Sequence, residues 1–482
     1  MFRTLPVLAT AALALAACTT TGRDPAPQAQ SATVVTAVME KPAPQPKRAK
    51  NVIMFIGDGM GISTITAMRI YAGQKQGGTG EEYELPFDRW DHVALVKTYN
   101  TDAQVPDSAG TATALHSGSK TRIGMLGIGP EAPRGDCRVG EQHHLPLLGE
   151  EVKERGLALG IVSTARITHA TPASVYARSV DRNWEADSGI AADQNGFGCR
   201  DIARQLVEAE WDVALGGGRA QFFGSDKGGR RTDADADLVA AWQEDTGGTF
   251  AETAAAMRAA PADRPLLGLF SQSHLEYTAD RTADSAEPTL TDMTGEAIRR
   301  LSGDPQGFYL MVEGGRIDHA HHAGQAGYAL EEGAEFARAI QYAVDNTDPE
   351  ETMILVTADH SHVFTIAGYP RRGNDILGLV HPPAGGGEDD EDTQDGPSLA
   401  RDGKPYTTLG YANGPGAVTG ERPVPQTGVG AIQQSLVPLG SETHGGEDVA
   451  LFGTGPGAEN VRGIIEQDRV YHIIRRAFGW GD

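Results

Sequence analysis

An α/β fold, with a mostly parallel central β-sheet sandwiched by helices, is what this sequence predicts, and three observations predict it. Short continuous apolar runs rich in Val, Ile, Leu and Met have the character of strands buried on both faces. These runs alternate along the chain with helical stretches, the order that produces parallel sheets with helical crossovers. Several runs end directly in an acid, and such residues collect at the carboxyl edge of the sheet, where ligands bind.

The first run, 51–57 (NVIMFIG), ends in Asp58. Residues 94–100 (ALVKTYN) are the next expected strand, followed by a loop that opens a helix at Asp107 or Ser108 in VPDSAGTATAL. There the free N–H groups and positive dipole end favour an anion, and capping by Asp107 or Ser108 accounts for the segment equally well. Residues 157–164 (LALGIVST) and 212–217 (DVALGG) are two further strands, with a helix over 201–210 between them. Then 307–312 (GFYLMV) runs into Glu313, a helix covers 329–344, and 352–357 (TMILVT) runs into Ala358, Asp359 and His360. The Gly- and Pro-rich region at about 378–440 carries the acidic run 388–392, which reads as a solvated loop.

The chain has 482 residues, with 41 Lys and Arg against 65 Asp and Glu, a formal charge of −24. That balance excludes nucleic-acid recognition, which needs a basic face. Residues 1–17 have the layout of a signal peptide, and Leu15-Ala16-Ala17-Cys18 resembles the bacterial lipobox, with Cys18 lipidated. Residues 18–50, rich in Thr, Pro, Ala and Gln, read as a flexible tether to a single domain over 51–482. The expected protein is exported and lipid-anchored to the membrane, facing the periplasm or cell exterior. Cys137 and Cys199 then remain as an even pair in an oxidising compartment, where a disulfide is expected.

Three strands delivering acids to one edge would crowd negative charge, a costly arrangement unless cations bind there. Imidazoles are concentrated in the same segments: Asp318-His319-Ala320-His321-His322, Asp359-His360-Ser361-His362, and His444 in SETHGGED. Neutral imidazole with carboxylate oxygen is a ligand set that suits zinc. Around Ser108 there is neither a G-x-S-x-G elbow nor a P-loop, so its activation points to direct metal coordination.

Taken together, FIGDGMG, VPDSAGTATA, THATPA followed by DRNW, VEGGRIDHAHH, VTADHSHVF and ETHGGEDVA resemble, in order, the motifs of the alkaline phosphatase family. The resemblance runs from about Asn51 to the C-terminus and is closest to the animal-type enzymes. It implies hydrolysis of small-molecule phosphate monoesters at alkaline pH, with two zinc ions and one magnesium. Asp58, Asp359 and His360 match the ligands of the zinc that activates Ser108, and Asp318, His322 and His444 match those of the second zinc. Asp58, Thr171 and Glu313 match the magnesium site, an oxygen set that ion prefers. Arg182 matches the phosphate-binding arginine, whose planar fork can hold two oxygens. The implied reaction is in-line transfer to Ser108, giving a phosphoserine that water hydrolyses. Cys137 and Cys199 match a disulfide of the animal-type enzymes, the region at about 378–440 takes the place of a crown-like insertion, and a homodimer is a possible assembly.

His169 and His319 stand where the enteric bacterial enzyme has Asp and Lys, matching the animal-type pattern, with His169 expected around the magnesium site and His319 near the phosphate. The animal-type calcium site is not expected, because Ser271 follows Phe270 where that site has Glu. Two rivals are a phosphodiesterase or sulfatase of the same superfamily and a non-catalytic lipoprotein that binds phosphate or metal. The Ser108 segment lacks a formylglycine motif, Thr171 and Glu313 supply third-metal ligands that diesterases usually lack, and a binder needs no nucleophile.

Overall fold

The run Asn51–Gly57 (β1) lies inside the sheet, and Val52 to Ile56 have no solvent exposure. The computed structural model describes residues 47–384 and 396–481, so the signal, lipidation site, most of the tether and the acidic run lie outside the described residues. Ala49 is buried, and its N–H donates to the Ala477 carbonyl, so the residues just before β1 belong to the folded body.

Among the described residues the largest sheet has ten strands. After β1 come His92–Lys97 (β2), Ala158–Arg166 (β3), Val213–Gly217 (β4), Thr249–Ala251 (β5), Leu266–Leu269 (β6), Phe308–Glu313 (β7), Thr352–Ala358 (β8), Val449–Thr454 (β9) and Gly463–Glu466 (β10). Their spatial order is β10-β2-β9-β8-β1-β7-β3-β4-β6-β5. Every pairing is parallel except those of β9 with β2 and β8, as the mostly parallel reading requires. β1 pairs with β7 so that Ile56 faces Glu313, and with β8 so that Gly57 faces Ala358. That register brings Asp58, Glu313 and Asp359 out at one edge.

The helices cover the sheet: Ile62–Lys75 (α1), Ser108–Ser117 (α2), Ile202–Glu208 (α3), Leu290–Leu301 (α4), Arg316–His322 (α5), Ala326–Asp345 (α6) and Arg469–Phe478 (α7). Helix α3 is shorter than the expected 201–210 because Asp201 is its cap, accepting from the Arg204 N–H. α6 is longer at both ends than expected, and Phe336 from it meets Phe55 of β1 edge to face at 5.8 Å. β2 runs 92–97 rather than 94–100, because Asn100 leaves the sheet to bridge Ala103. Between β8 and β9 the chain builds a separate three-stranded sheet from Phe364–Ile366, Leu409–Gly414 and Ser435–Pro438.

A second, small core lies apart from the main one: Met125, Ile128, Ala132, Cys137, Val180 and Trp184. The expected disulfide between Cys137 and Cys199 closes it, with Cα atoms 5.5 Å apart. The bridge spans 62 residues, for which chain entropy gives about 4 kcal/mol. Replacing both cysteines by Ala is therefore expected to lower Tm in scanning calorimetry, and an unchanged Tm would show that the small core holds without the bridge.

Candidate active site

Asp107, in extended conformation, is the N-cap of α2, and Ser108 is its first helical residue. The Asp107 carboxylate gathers four donors: the N–H groups of Gly110 and Gly124 at 3.1 and 3.0 Å, Asn100 Nδ2 at 3.1 Å, and Arg182 Nη1 at 3.0 Å. Capping and function are thus divided between neighbours, Asp107 holding the turn and Ser108 facing inward. Ser108 Oγ lies 3.1 Å from His360 Nε2 and is buried.

Three imidazoles share one arrangement. His360, His322 and His444 each place Nδ1 against a backbone carbonyl, those of Ser361, Glu442 and Pro106, at 3.2, 2.6 and 2.8 Å. An Nδ1–H donated to a carbonyl leaves the Nε2 lone pair pointing into the site, which is how metal-binding histidines are oriented. His322 Nε2 and His444 Nε2 are 3.0 Å apart and lie 3.3 and 3.4 Å from Asp318 Oδ1. Two lone pairs at that separation repel unless a cation lies between them.

His362 differs. It bridges Asp318 Oδ1 at 2.9 Å and Glu442 Oε2 at 2.5 Å. Burial disfavours its charge, but the hydrogen bonds to the two carboxylates outweigh burial and push its pKa up to about 9. Held between the two carboxylates, the ring orients Asp318. No role is assigned to it from sequence, although alternation in His360-Ser361-His362 puts both rings on one side of an extended segment.

The acids carry the strongest signal. Both oxygens of Asp58, Glu313 Oε1, Thr171 Oγ1 and His169 Nδ1 are buried without a hydrogen-bond partner. Buried polar groups are almost always satisfied, so five such atoms converging call for cations. Burial, then Asp359, Asp318 and Glu313, raise the Asp58 pKa well above the carboxylate range, and burial lifts Glu313 to about 7 against the hydrogen bond from Ser163. Asp318 goes the other way: burial raises it, but the imidazoles of His322, His362 and His444 outweigh that.

Ligand atoms within 4.8 Å of one another form three groups: Asp318 with His322, His362 and His444; Asp58 with Asp318 and His360; and Asp58 with His169 and Glu313. Asp318 and Asp58 are each shared by two groups. Asp359 stands at the second, its Oδ2 3.3 Å from His360 Nε2, while its Oδ1 accepts from the N–H groups of Gly59 and His360 at 3.1 and 2.9 Å. Thr171 belongs with the third, where its hydroxyl faces the Glu313 carboxyl. The nitrogen and oxygen donors of the first two groups fit zinc, and the oxygens of the third fit magnesium.

Comparison with known proteins agrees with this geometry. The family model for alkaline phosphatase matches residues 49–479. The tissue-nonspecific alkaline phosphatases of Gallus gallus and Homo sapiens are each 42% identical, over 89% of this chain and 84% and 83% of their own lengths. The chain belongs to the alkaline phosphatase family. Among solved structures it resembles Thermus thermophilus alkaline phosphatase, with a TM-score of 0.66 and 26% identity over 90% of this chain and 93% of that one. It shares its fold with the enzyme of the Antarctic bacterium TAB5, with a TM-score of 0.63 and 23% identity over 91% and 100%. It is an alkaline phosphatase, a phosphomonoester hydrolase.

Within this phosphatase Arg182 is held on three sides. Its N–H donates to the Gly124 carbonyl at 2.8 Å, Nη1 meets Asp107, and Nη2 lies 3.1 Å from His169 Nε2. Next to it Asp181 takes a bidentate pair from Arg134 at 2.9 and 3.1 Å. The His319 ring packs 4.0 Å from His274 and 5.4 Å from His169, with Nδ1 3.2 Å from Arg316 Nη1. His274 and Arg316 carry no assignment from sequence.

The Asp107–Arg182 pair has a pH signature. Burial raises the Asp107 pKa, but Arg182 and the Gly124 and Gly110 amides outweigh it, leaving a folded value below the ordinary 3.8. A depressed carboxylate stabilises fully above its unfolded pKa and loses that contribution as pH falls through the folded one. Asp107→Asn is therefore expected to cost about 1.5–3 kcal/mol near neutrality. Unfolding curves of variant and native protein should converge toward strongly acidic pH, and a gap independent of pH would contradict the assignment.

Proposed function

We propose that this enzyme hydrolyses phosphate monoesters at alkaline pH through a phosphoserine on Ser108, with two zinc ions and one magnesium. The observation that supports the reading best is the set of unpartnered buried atoms on Asp58, Glu313 and Thr171 beside a serine that faces His360. Asp58, Asp359 and His360 would hold one zinc, Asp318, His322 and His444 the other, and Asp58, Thr171 and Glu313 the magnesium. When bound, these ions supply the positive charge that lowers the serine hydroxyl pKa and stabilises the departing oxygen.

Ser108 Oγ, having lost its proton, attacks phosphorus in line, and the bond from phosphorus to the leaving oxygen breaks, giving phosphoserine and an alcohol. Water then attacks phosphorus, the serine oxygen leaves, and inorganic phosphate is released. Arg182 holds the phosphoryl oxygens with N–H groups directed by Asp107, so little reorganisation is needed as charge develops. His319 stands at the edge of this pocket and His169 between Arg182 and the third ligand group. We further propose export with lipidation at Cys18, which would place the enzyme on a membrane surface facing the periplasm or cell exterior, and assembly as a homodimer.

Turnover of an aryl phosphate from neutral to strongly alkaline pH tests the reading. Activity should rise with pH, vanish with chelator and return with zinc plus magnesium, while Ser108→Ala loses on the order of 10³-fold or more in kcat. A diester or sulfate ester turned over in preference to the monoester would overturn it.

A further inference from the structure

Beside the phosphoryl pocket lies a cation that has no partner acid among the described residues. Arg316, in the first turn of α5, lies with its guanidinium carbon 3.5 Å from the centre of the Tyr277 ring. Nη1 is 3.2 Å from His319 Nδ1, and Nε is buried with no acceptor. The acids that act on it electrostatically are engaged elsewhere: Glu332 accepts from the Thr278 N–H, Glu287 pairs with Arg281, and Asp280 accepts from the Tyr328 hydroxyl. Arg166, across His274, is already neutralised by a bidentate pair with Glu185. In a chain of net charge −24, a half-buried guanidinium with no carboxylate pairing among the described residues is an expensive feature. Its flat face is fixed by the tyrosine, which leaves the edge free for an anion.

We propose that Arg316 is a specificity site for a second anionic group, carboxylate or phosphate, carried by the leaving group of the phosphomonoester. The proposal rests on the phosphomonoesterase reading and deepens it. Arg316 reaches the pocket through His319, the neighbour of Asp318, so a substrate held at Ser108 and Arg182 meets it only with a group that extends past His319.

The test compares matched esters. 3-Phosphoglycerate and glycerol 3-phosphate differ by one carboxylate, and propane-1,3-diol bisphosphate and its monophosphate differ by one phosphate. In the native enzyme the anionic member of at least one pair should have the higher kcat/KM, and the pair that shows it identifies the group. Arg316→Gln should lower that ratio about tenfold, the value of one charge-assisted contact, while Arg316→Lys keeps part of it. The native ratio should also fall as ionic strength rises, a reading that needs no variant. Ratios near one in the native enzyme, or an unchanged ratio in Arg316→Gln, would overturn the proposal. Failure to turn over any of the four esters would instead overturn the phosphomonoesterase reading.

Discussion

Four carboxylates, of Asp58, Glu313, Asp318 and Asp359, are buried together at the carboxyl edge of one sheet, and the surrounding structure answers to that load. Removing each charge from water costs several kcal/mol unless it is met by a compensating group. Some of the compensation is internal: the His362 ring lies against Asp318, and the amides of Gly59 and His360 serve Asp359. The rest is not. Among the described residues Asp58 has no hydrogen-bond donor, and like Asp318 it is shared by two of the three ligand groups. Cations at those groups would offset the charge that remains.

Strand register is what lets so few residues carry so much charge. Gly57 opposite Ala358 puts Asp58 level with Asp359, Ile56 opposite Glu313 sets the third acid two positions short of them, and a slip of one residue would send each to the other face. After Asp58 the chain must turn at once. Gly59 does so at φ 70°, where a Cβ would stand 2.3 Å from His362 Nε2. No side chain fits there, so this glycine lets the strand end and the His362 ring approach each other.

What was legible in the sequence is what depends on neighbours in the chain. Asp58, Glu313 and Asp359 announce themselves by ending apolar runs, and the imidazoles by their density. Asp107 was half legible, since a cap and a pocket residue look alike until Gly124 and Arg182 are seen converging on it. His362, His274 and Arg316 were not legible, because each takes its meaning from a distant partner. His362 needs Glu442, 80 positions away, and Arg316 needs Tyr277, which reaches it from another segment. The ends of β2 and α3 differ from the sequence reading for a related reason: Asn100 leaves the sheet to bridge Ala103, and Asp201 caps α3 instead of joining it.

The site is supported by two cores rather than one. The ligands and Ser108 rest on the main sheet and its helices, whereas Arg182 extends from a segment whose flanks, Val180 and Trp184, pack into the small core closed by Cys137 and Cys199. Asp107 joins the two, capping α2 with one oxygen and holding Arg182 with the other. Arg182 and Ser108 therefore have separate mechanical supports, linked by the partly buried Asp107–Arg182 ion pair. A change in the small core would alter how Arg182 is held while leaving the ligand groups on the sheet intact. That separation also explains why the Arg166–Glu185 and Arg134–Asp181 pairs cluster around the arginine-bearing segment: with only a small apolar core beneath it, the segment depends on bidentate pairs for its fixed geometry.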